Sequence, residues 1–66
     1  MIDVKLFEVL HGYENGKFKD GDMFFYHNNP NMAVIFNAGS LIWADDRVAV
    51  SCKEILKDVW VYKEAE

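Results

Sequence analysis

The residues of this chain that could do chemistry are two histidines, one cysteine and a pair of adjacent aspartates. His11 and His27 lie far apart in the 66-residue sequence, and Cys52 is its single cysteine. An enzyme needs a nucleophile beside a base, paired carboxylates in a cleft, or a metal cluster. No spacing here is typical of zinc ligands. The sequence therefore predicts no catalytic residue, no metal site and no cofactor.

His27 stands in a turn-rich segment, residues 27–31, that contains three asparagines and a proline. Amide and imidazole groups can hydrogen-bond a ligand, which makes His27, Asn28 and Asn29 candidate contact residues. Asparagines in such a loop mostly satisfy their own backbone, and this loop-only interpretation is preferred. The other histidine, His11, is interpreted as solvated or satisfied in the core rather than as a base.

A second group of candidate contact residues, Trp43, Asp45 and Asp46, lies at the end of an apolar segment. Asp45 and Asp46 are adjacent, so on a strand they point to opposite faces, which disfavours shared acid–base work and joint metal binding. An edge or turn role for the two aspartates is the preferred interpretation. Aromatic residues such as Trp43 are expected to serve core and interface packing. Cys52 is expected to be a buried or half-buried structural thiol.

Composition and charge restrict the class of function. Seven basic and eleven acidic residues give a net charge of −4, which opposes a phosphate backbone and makes nucleic acid an unexpected partner. A single cysteine excludes an internal disulfide and fits a reducing cytoplasm. No apolar run approaches the roughly 18 residues of a membrane span, and no signal sequence opens the chain. We expect a cytoplasmic protein with no membrane partner.

The fold is expected to form around residues 32–50. Two apolar runs flank the loop Asn37-Ala38-Gly39-Ser40, which predicts a β-hairpin in the middle of a sheet. Side chains of both parities are apolar in these runs, so both faces of the sheet need cover. Residues 48–50 are expected either to continue the second strand after a bulge or to form a separate short strand.

A helix is predicted from Val4 to Glu14, with Asp3 as its N-cap and Asn15-Gly16 as its stop signal. Gly12 either lets this helix lie close to the sheet or marks a fraying end. The apolar positions recur at the spacing of a buried helical stripe. They are Leu6, Val9, Leu10 and Tyr13.

Two further strands are predicted at Met23–Tyr26 and Val59–Tyr62, and Trp60 in the second of them is expected to be buried. Ser51, followed three residues later by Glu54, predicts a short helical turn before the last strand. The sequence as a whole predicts an α+β fold in one domain, residues 1–66. In it one N-terminal helix packs on a small, mainly antiparallel sheet of three to four strands.

A helix that ends at a glycine, short strands and a closing I-L-K-D-x-W-x-x segment follow one another in this chain. The residues are Leu6–Gly16, Leu41–Trp43 and Ile55–Tyr62. This order resembles the YopT-type family of the SPβ prophage, small proteins of Gram-positive phages and prophages. The resemblance implies a homodimer of one helix and about three strands. The closing Asp58-x-Trp60 is also similar to the terminal motif of phage sponges that sequester cyclic nucleotide signals of the Thoeris defence system.

Chain length and apolar content together predict self-association. A domain of this size buries only roughly 60% of its unfolded surface, yet 52% of its residues are hydrophobic. We expect a homodimer, joined through the sheet face that the predicted helix leaves bare. The first hypothesis is a non-enzymatic phage or prophage protein that binds a host protein or complex. The alternative is a small-molecule binding protein that holds a nucleotide between protomers. An enzyme is the third possibility.

Overall fold

The computed structural model describes residues 2–64 and contains two helices and five strands. In chain order they are β1 (Ile2–Lys5), α1 (Leu6–Glu14), β2 (Met23–Tyr26), β3 (Asn29–Asn37), β4 (Ser40–Trp43), α2 (Cys52–Ile55) and β5 (Trp60–Lys63). All neighbouring strands are antiparallel, and their order across the sheet is β1-β5-β2-β3-β4. The predicted α+β class is confirmed, but the sheet has five strands rather than three to four.

The described residues begin with a strand that overlaps the first two residues of the predicted helix. Ile2–Lys5 pairs with β5, and helix α1 begins only at Leu6. Lys5 rather than Asp3 is the N-cap, and its backbone N–H donates to Glu8 Oε1 at 3.0 Å. The alternating apolar residues of Ile2–Lys5 fit a strand as well as a helix. Pairing with a remote strand decides between the two.

Helix α1 buries a narrower stripe than the sequence predicts. Its buried residues recur every three positions, at Leu6, Val9 and Gly12. Leu10 is 40% exposed, because it lies beside this line of contact rather than on it. Tyr13 packs against the core, with its ring centroid 4.4 Å from that of Phe36.

Gly12 makes room for a buried ring from the loop that follows α1. A Cβ atom on Gly12 would lie 2.3 Å from the Phe18 ring, which is closer than atoms can approach. The backbone N–H groups of Lys17 and Phe18 both donate to Gly12 O, at 2.8 and 3.1 Å. The glycine therefore admits Phe18 beneath the end of the helix, which these two hydrogen bonds close.

The hairpin predicted around residues 37–40 is confirmed, but it lies at one side of the sheet rather than in its middle. Asn37 pairs with Ser40, and Ala38 and Gly39 between them have φ angles of 52° and 84°. Positive φ at both central residues is typical of a tight hairpin turn. Strand β2 is the middle strand, because β1 and β5 occupy its other side.

The turn after β2 is shorter than the sequence predicts. It contains only His27 and Asn28, because Tyr26 already pairs with Asn29. The register then shifts within this hairpin, which marks an irregular part of β3. Pro30 lies in that part, where a residue without an N–H is tolerated.

The chain folds back on β4 after a tight turn at residues 44–47. Trp43 N donates to Val48 O at 2.9 Å, and Val50 N donates to Leu41 O at 3.0 Å. Ile42 forms an isolated antiparallel bridge with Ala49. Residues 48–50 therefore neither continue β4 after a bulge nor form a regular strand, because they contact the edge of β4 through one isolated bridge and two flanking hydrogen bonds.

Helix α2 is capped as the sequence predicts. Ser51 Oγ accepts a hydrogen bond from Glu54 N at 3.2 Å. Cys52, the first residue of this helix, is exposed, and the expectation of a buried thiol is wrong. Cys52 and Lys53 in α2 are exposed to solvent, while Ile55 packs against the core.

One face of the sheet, covered by the two helices, forms the core. Its buried members are mostly aromatic and branched side chains from β2 to β5, and Val4 of β1 packs against them. The buried members of this cluster are Leu6, Val9, Phe18, Phe24, Tyr26, Val34, Phe36, Leu41, Val50 and Val61. Within residues 2–64, neither helix has the length and apolar character needed to cross a membrane.

Candidate interaction surface

The second face of the sheet carries apolar side chains that neither helix covers. We call it the open face. Its side chains alternate along the strands with those of the core, so their identity follows from the pairing register. The apolar members are Met23, Phe25, Ala33, Ile35, Ile42, Trp60 and Tyr62. Met23 and Trp60 are 37% and 49% exposed, whereas Ile42 is only 7% exposed and the other members are partly buried. The open face is therefore apolar, and it is most accessible to solvent at Met23 and Trp60.

Trp60 lies on the open face and not in the core, and the expectation of a buried tryptophan is wrong. The predicted alternation along the last strand is present: Val61 is fully buried, while Trp60 on the opposite side is half exposed. The alternation separates valines from aromatic residues. It does not tell which of the two sides the helices cover.

A row of rings crosses the middle of the open face. Phe25 and Tyr62 face each other on paired strands, with ring centroids 5.5 Å apart. The His27 ring lies 4.8 Å from Tyr62. Rings packed across strands in this way give a rigid surface with a large apolar area. Such surfaces are typical of the central part of protein interfaces.

Polar groups are gathered at the corner of the open face next to β1. We call the group of Asp3, His27 and Trp60 the β1 corner. His27 Nε2 lies 2.6 Å from Asp3 Oδ1, and both side chains are about half exposed. The three residues line an open depression of about 420 Å³. The Lys5 ammonium lies 4.8 Å from the Trp60 ring and pairs with the Asp58 carboxylate.

The candidate contact residues from the sequence fall into two separate places. Trp43, Asp45 and Asp46 line one depression of about 190 Å³, together with Met32 and Ala33. Asp45 Oδ1 accepts from Asp46 N at 2.7 Å and Asp46 Oδ1 from Val48 N at 3.0 Å, so both aspartates stabilise their own turn.

The other three candidates lie at the turn between β2 and β3. His27 belongs to the β1 corner, whereas Asn28 and Asn29 are exposed at the tip of the hairpin. Asn29 Oδ1 accepts from Asn31 N at 3.4 Å, which is a local loop contact. The sequence gives no indication of Asp3 as the partner of His27, because 24 positions separate the two residues.

Tyr26 and Glu54 join the sheet to α2, away from the open face. The Tyr26 hydroxyl donates to Glu54 Oε2 at 2.7 Å, and Lys57 Nζ lies 3.0 Å from Glu54 Oε1. Burial, followed by the bond to Glu54, raises the pKa of Tyr26 well above its usual 10.0. The hydrogen bond from Tyr26, with the contribution of Lys57, holds the pKa of Glu54 below its usual 4.5. The pair is a structural contact.

The pKa of Glu54 leads to a pH-dependent stability prediction. A carboxylate whose folded-state pKa lies below 4.5 stabilises the fold above that pH, and the contribution disappears as the pH falls through the folded-state pKa. Tyr26→Phe removes the main cause, at a cost of about 1 kcal/mol near neutral pH. The difference in unfolding free energy between parent and variant is therefore expected to narrow below about pH 4.5.

Urea unfolding between about pH 3 and pH 7 measures this difference. Tyr62→Phe is the matched control, because it removes a hydroxyl that does not contact Glu54. The difference in unfolding free energy between Tyr62→Phe and the parent is expected to stay constant over the same pH range. A constant difference for Tyr26→Phe as well would contradict the role assigned to the Tyr26–Glu54 bond.

Neither a metal site nor a known family is indicated by the remaining observations. Among residues 2–64, no group of three or more histidine, cysteine, aspartate or glutamate side chains is placed to hold a metal ion. No family model, curated protein or solved structure matches the chain. The resemblance to the phage and prophage family therefore rests on the sequence segments alone and stays a prediction.

Proposed function

We propose that this chain is a non-enzymatic interaction protein that forms a two-fold dimer through its open face and binds a further protein in the cytoplasm. The open face is the observation that carries the proposal. It carries apolar side chains on four strands, β2 to β5, neither of the two helices among residues 2–64 covers it, and its members Met23 and Trp60 are exposed. The sequence resemblance implies that the further protein belongs to the host of a phage or prophage.

The size of the open face fits a second copy of the chain. The Cα atoms of the whole chain span 25 × 24 × 20 Å, so the open face offers at most on the order of 500 Å² per protomer. Two such faces bury about 1,000 Å² together, which is the lower limit for a specific interface. Use of the whole face is therefore required, and a two-fold pair of identical faces is the commonest way to achieve it.

The shape of the open face also fits this partner. Two sheets pack face to face at about 10 Å, with interdigitating side chains from both inner faces. The rings of Phe25 and Tyr62 lie beside smaller side chains such as Ala33. This alternation of large and small side chains allows the two faces to interdigitate. A net charge of −4 opposes self-association only weakly at physiological ionic strength, where the Debye length is about 8 Å.

A dimer of this kind leaves the outer surface of α1 for the further protein. Phe7 and Leu10, three residues apart on this helix, are 44% and 40% exposed. Phe7 and His11 also border an open depression of about 340 Å³ beside Gly12 and Phe18. Neighbouring apolar residues on one helix face are typical anchors for a partner protein. The acidic chain favours a basic partner.

Nucleotide binding between protomers is the second candidate. Its support is the β1 corner, where an accessible indole lies beside the depression of about 420 Å³. Nucleotide phosphates require basic groups or a glycine-rich loop. The one cation near Trp60 in residues 2–64 is Lys5, which pairs with Asp58, and Asp3 adds negative charge. The open face therefore supports protein binding better.

Sedimentation equilibrium at low micromolar concentration tests the dimer. The expected mass is about twice the 7.7 kDa of the chain. A folded monomer under these conditions would contradict the proposal. A thermal-shift screen with nucleotides and cyclic dinucleotides tests the second candidate, since a ligand at 100 times its dissociation constant stabilises a protein by about 2.7 kcal/mol. No shift is expected.

A further inference from the structure

The β1 corner contains a carboxylate oxygen and an indole face that can bind a planar cation. Asp3 contacts His27 through Oδ1, and within residues 2–64 its Oδ2 atom has no hydrogen-bond partner. The Trp60 indole beside it is half exposed and already attracts one ammonium group, that of Lys5. A carboxylate next to an indole face matches the guanidinium group, which bonds carboxylates with two N–H groups and stacks on aromatic rings.

The single arginine of the chain lies at the opposite edge of the sheet. Arg47 closes the turn after β4, where its backbone N–H donates to Trp43 O at 3.0 Å. Its side chain is exposed, and in the part of the chain that the structure describes no carboxylate lies within ion-pair distance of it. The neighbouring Asp45 and Asp46 accept N–H groups of their own turn instead.

Backbone pairing places the Arg47 turn and the β1 corner at the same level along the strands. One row of paired residues crosses the sheet from Asp3 through Tyr62 and Phe25 to Ala33. The N–H of Ala44, the first residue of the Arg47 turn, donates to Ala33 O at 3.0 Å. The acidic corner and the arginine turn are therefore the two ends of one row.

A two-fold axis parallel to the strands relates these two ends. Such an axis lies between the two protomers, over the gap between β2 and β3. It turns each sheet so that its β4 side and its β1 side change places, while every residue keeps its position along the strand direction. It places the β4 side of one protomer over the β1 side of the other. The turn that contains Arg47 in each copy then faces the β1 side of its partner, twice in the dimer.

We propose that Arg47 of one protomer docks into the β1 corner of the other, where the Asp3 carboxylate accepts its guanidinium and Trp60 stacks against it. The proposal rests on the dimer described above and selects one two-fold arrangement of it. The contact combines an ion pair with aromatic stacking at both ends of the interface. The Asp3 carboxylate and the Arg47 guanidinium at each end of the interface are then paired with each other.

Arg47→Gly is the most informative variant. The φ angle of Arg47 is 62°, a value that favours glycine, so this change removes the side chain without straining the turn. The dimer dissociation constant is expected to rise at least about tenfold, as for the loss of a partly buried charge pair. The urea unfolding midpoint of the Arg47→Gly monomer, measured at high dilution, is expected to equal or exceed that of the parent monomer. Asp3→Asn is expected to weaken the dimer in the same direction.

Exchanging the two charges between positions 3 and 47 provides the decisive comparison of dimer dissociation constants. Asp3→Arg and Arg47→Asp are each expected to weaken the dimer, and the double variant is expected to bind more tightly than either single variant. Lys19→Ala is the matched control for charge, because it removes one positive charge from an exposed loop away from the open face. Its dissociation constant is expected to equal that of the parent.

The outcomes separate this proposal from the dimer itself. A parent chain that sediments as a monomer refutes both. A parent dimer whose dissociation constant is unchanged in Arg47→Gly and Asp3→Asn refutes the docking of Arg47 and leaves the dimer standing. Failure of the double variant to bind better than the single variants also refutes the docking.

Discussion

Replacing Phe24 by alanine is expected to unfold the domain at room temperature. Phe24 is fully buried in the central strand, and its ring meets those of Phe18 and Phe36 edge to face at 4.8 and 6.0 Å. Removing a buried phenylalanine side chain costs about 3–5 kcal/mol. A chain of this length has a total stability of about 3–10 kcal/mol, so the change removes most of it.

Urea unfolding followed by circular dichroism measures the loss. Phe7→Ala is the matched control, because it makes the same substitution at a side chain that is 44% exposed on the outer surface of α1. The control is expected to lose about 1 kcal/mol or less, as surface substitutions generally do. Equal losses in the two variants would show that Phe24 is not at the centre of the core.

Features encoded in a few consecutive residues were predictable from the sequence. The hairpin turn at Ala38 and Gly39 requires positive φ at two adjacent positions. Gly39 adopts it at no steric cost, whereas Ala38 adopts it against the preference of a residue with a Cβ atom, so the glycine and the two flanking apolar runs are the signal. The cap of α2 needs only Ser51 and the N–H three residues later. In both cases the energy that selects the structure is local, so the sequence contains the whole signal.

The order of the strands was not predictable in this way. Ile2–Lys5 pairs with Trp60–Lys63 at the other end of the chain, and no turn or spacing links two segments so far apart. The last two of these residues, Val4 and Lys5, also belong to the predicted helix. The free energy of joining the sheet, a non-local term, moved the start of α1 to Leu6.

The candidate site was predictable only in part for the same reason. His27 was identified because its segment is rich in turn residues, but its partners Asp3 and Trp60 come from the two ends of the chain. Alternation in the last strand separated valines from aromatic residues without showing which side is covered. That choice depends on where the two helices pack, and therefore on the whole fold.

Met23→Lys is expected to abolish the dimer while the monomer stays folded. Met23 lies on the central strand of the open face and is 37% exposed, so a lysine side chain can reach water in the monomer. In the dimer the same ammonium group is covered by an apolar face without a partner, which costs several kcal/mol. The dissociation constant is expected to rise at least about 100-fold, since each 1.4 kcal/mol is a factor of ten.

Met23→Lys tests the open face specifically, because its change in net charge does not by itself oppose dimerisation. Met23→Lys brings the net charge from −4 closer to zero, so general repulsion between two acidic chains decreases and any weakening must come from the face itself. Leu56→Lys makes the same change of charge at a side chain that is 75% exposed and lies beyond α2, on the other side of the sheet. Sedimentation equilibrium is expected to show a dimer for Leu56→Lys and a folded monomer for Met23→Lys. A dimer of unchanged affinity in Met23→Lys would mean that the two chains associate through another surface, because an unpaired ammonium group cannot be buried in an apolar interface at no cost.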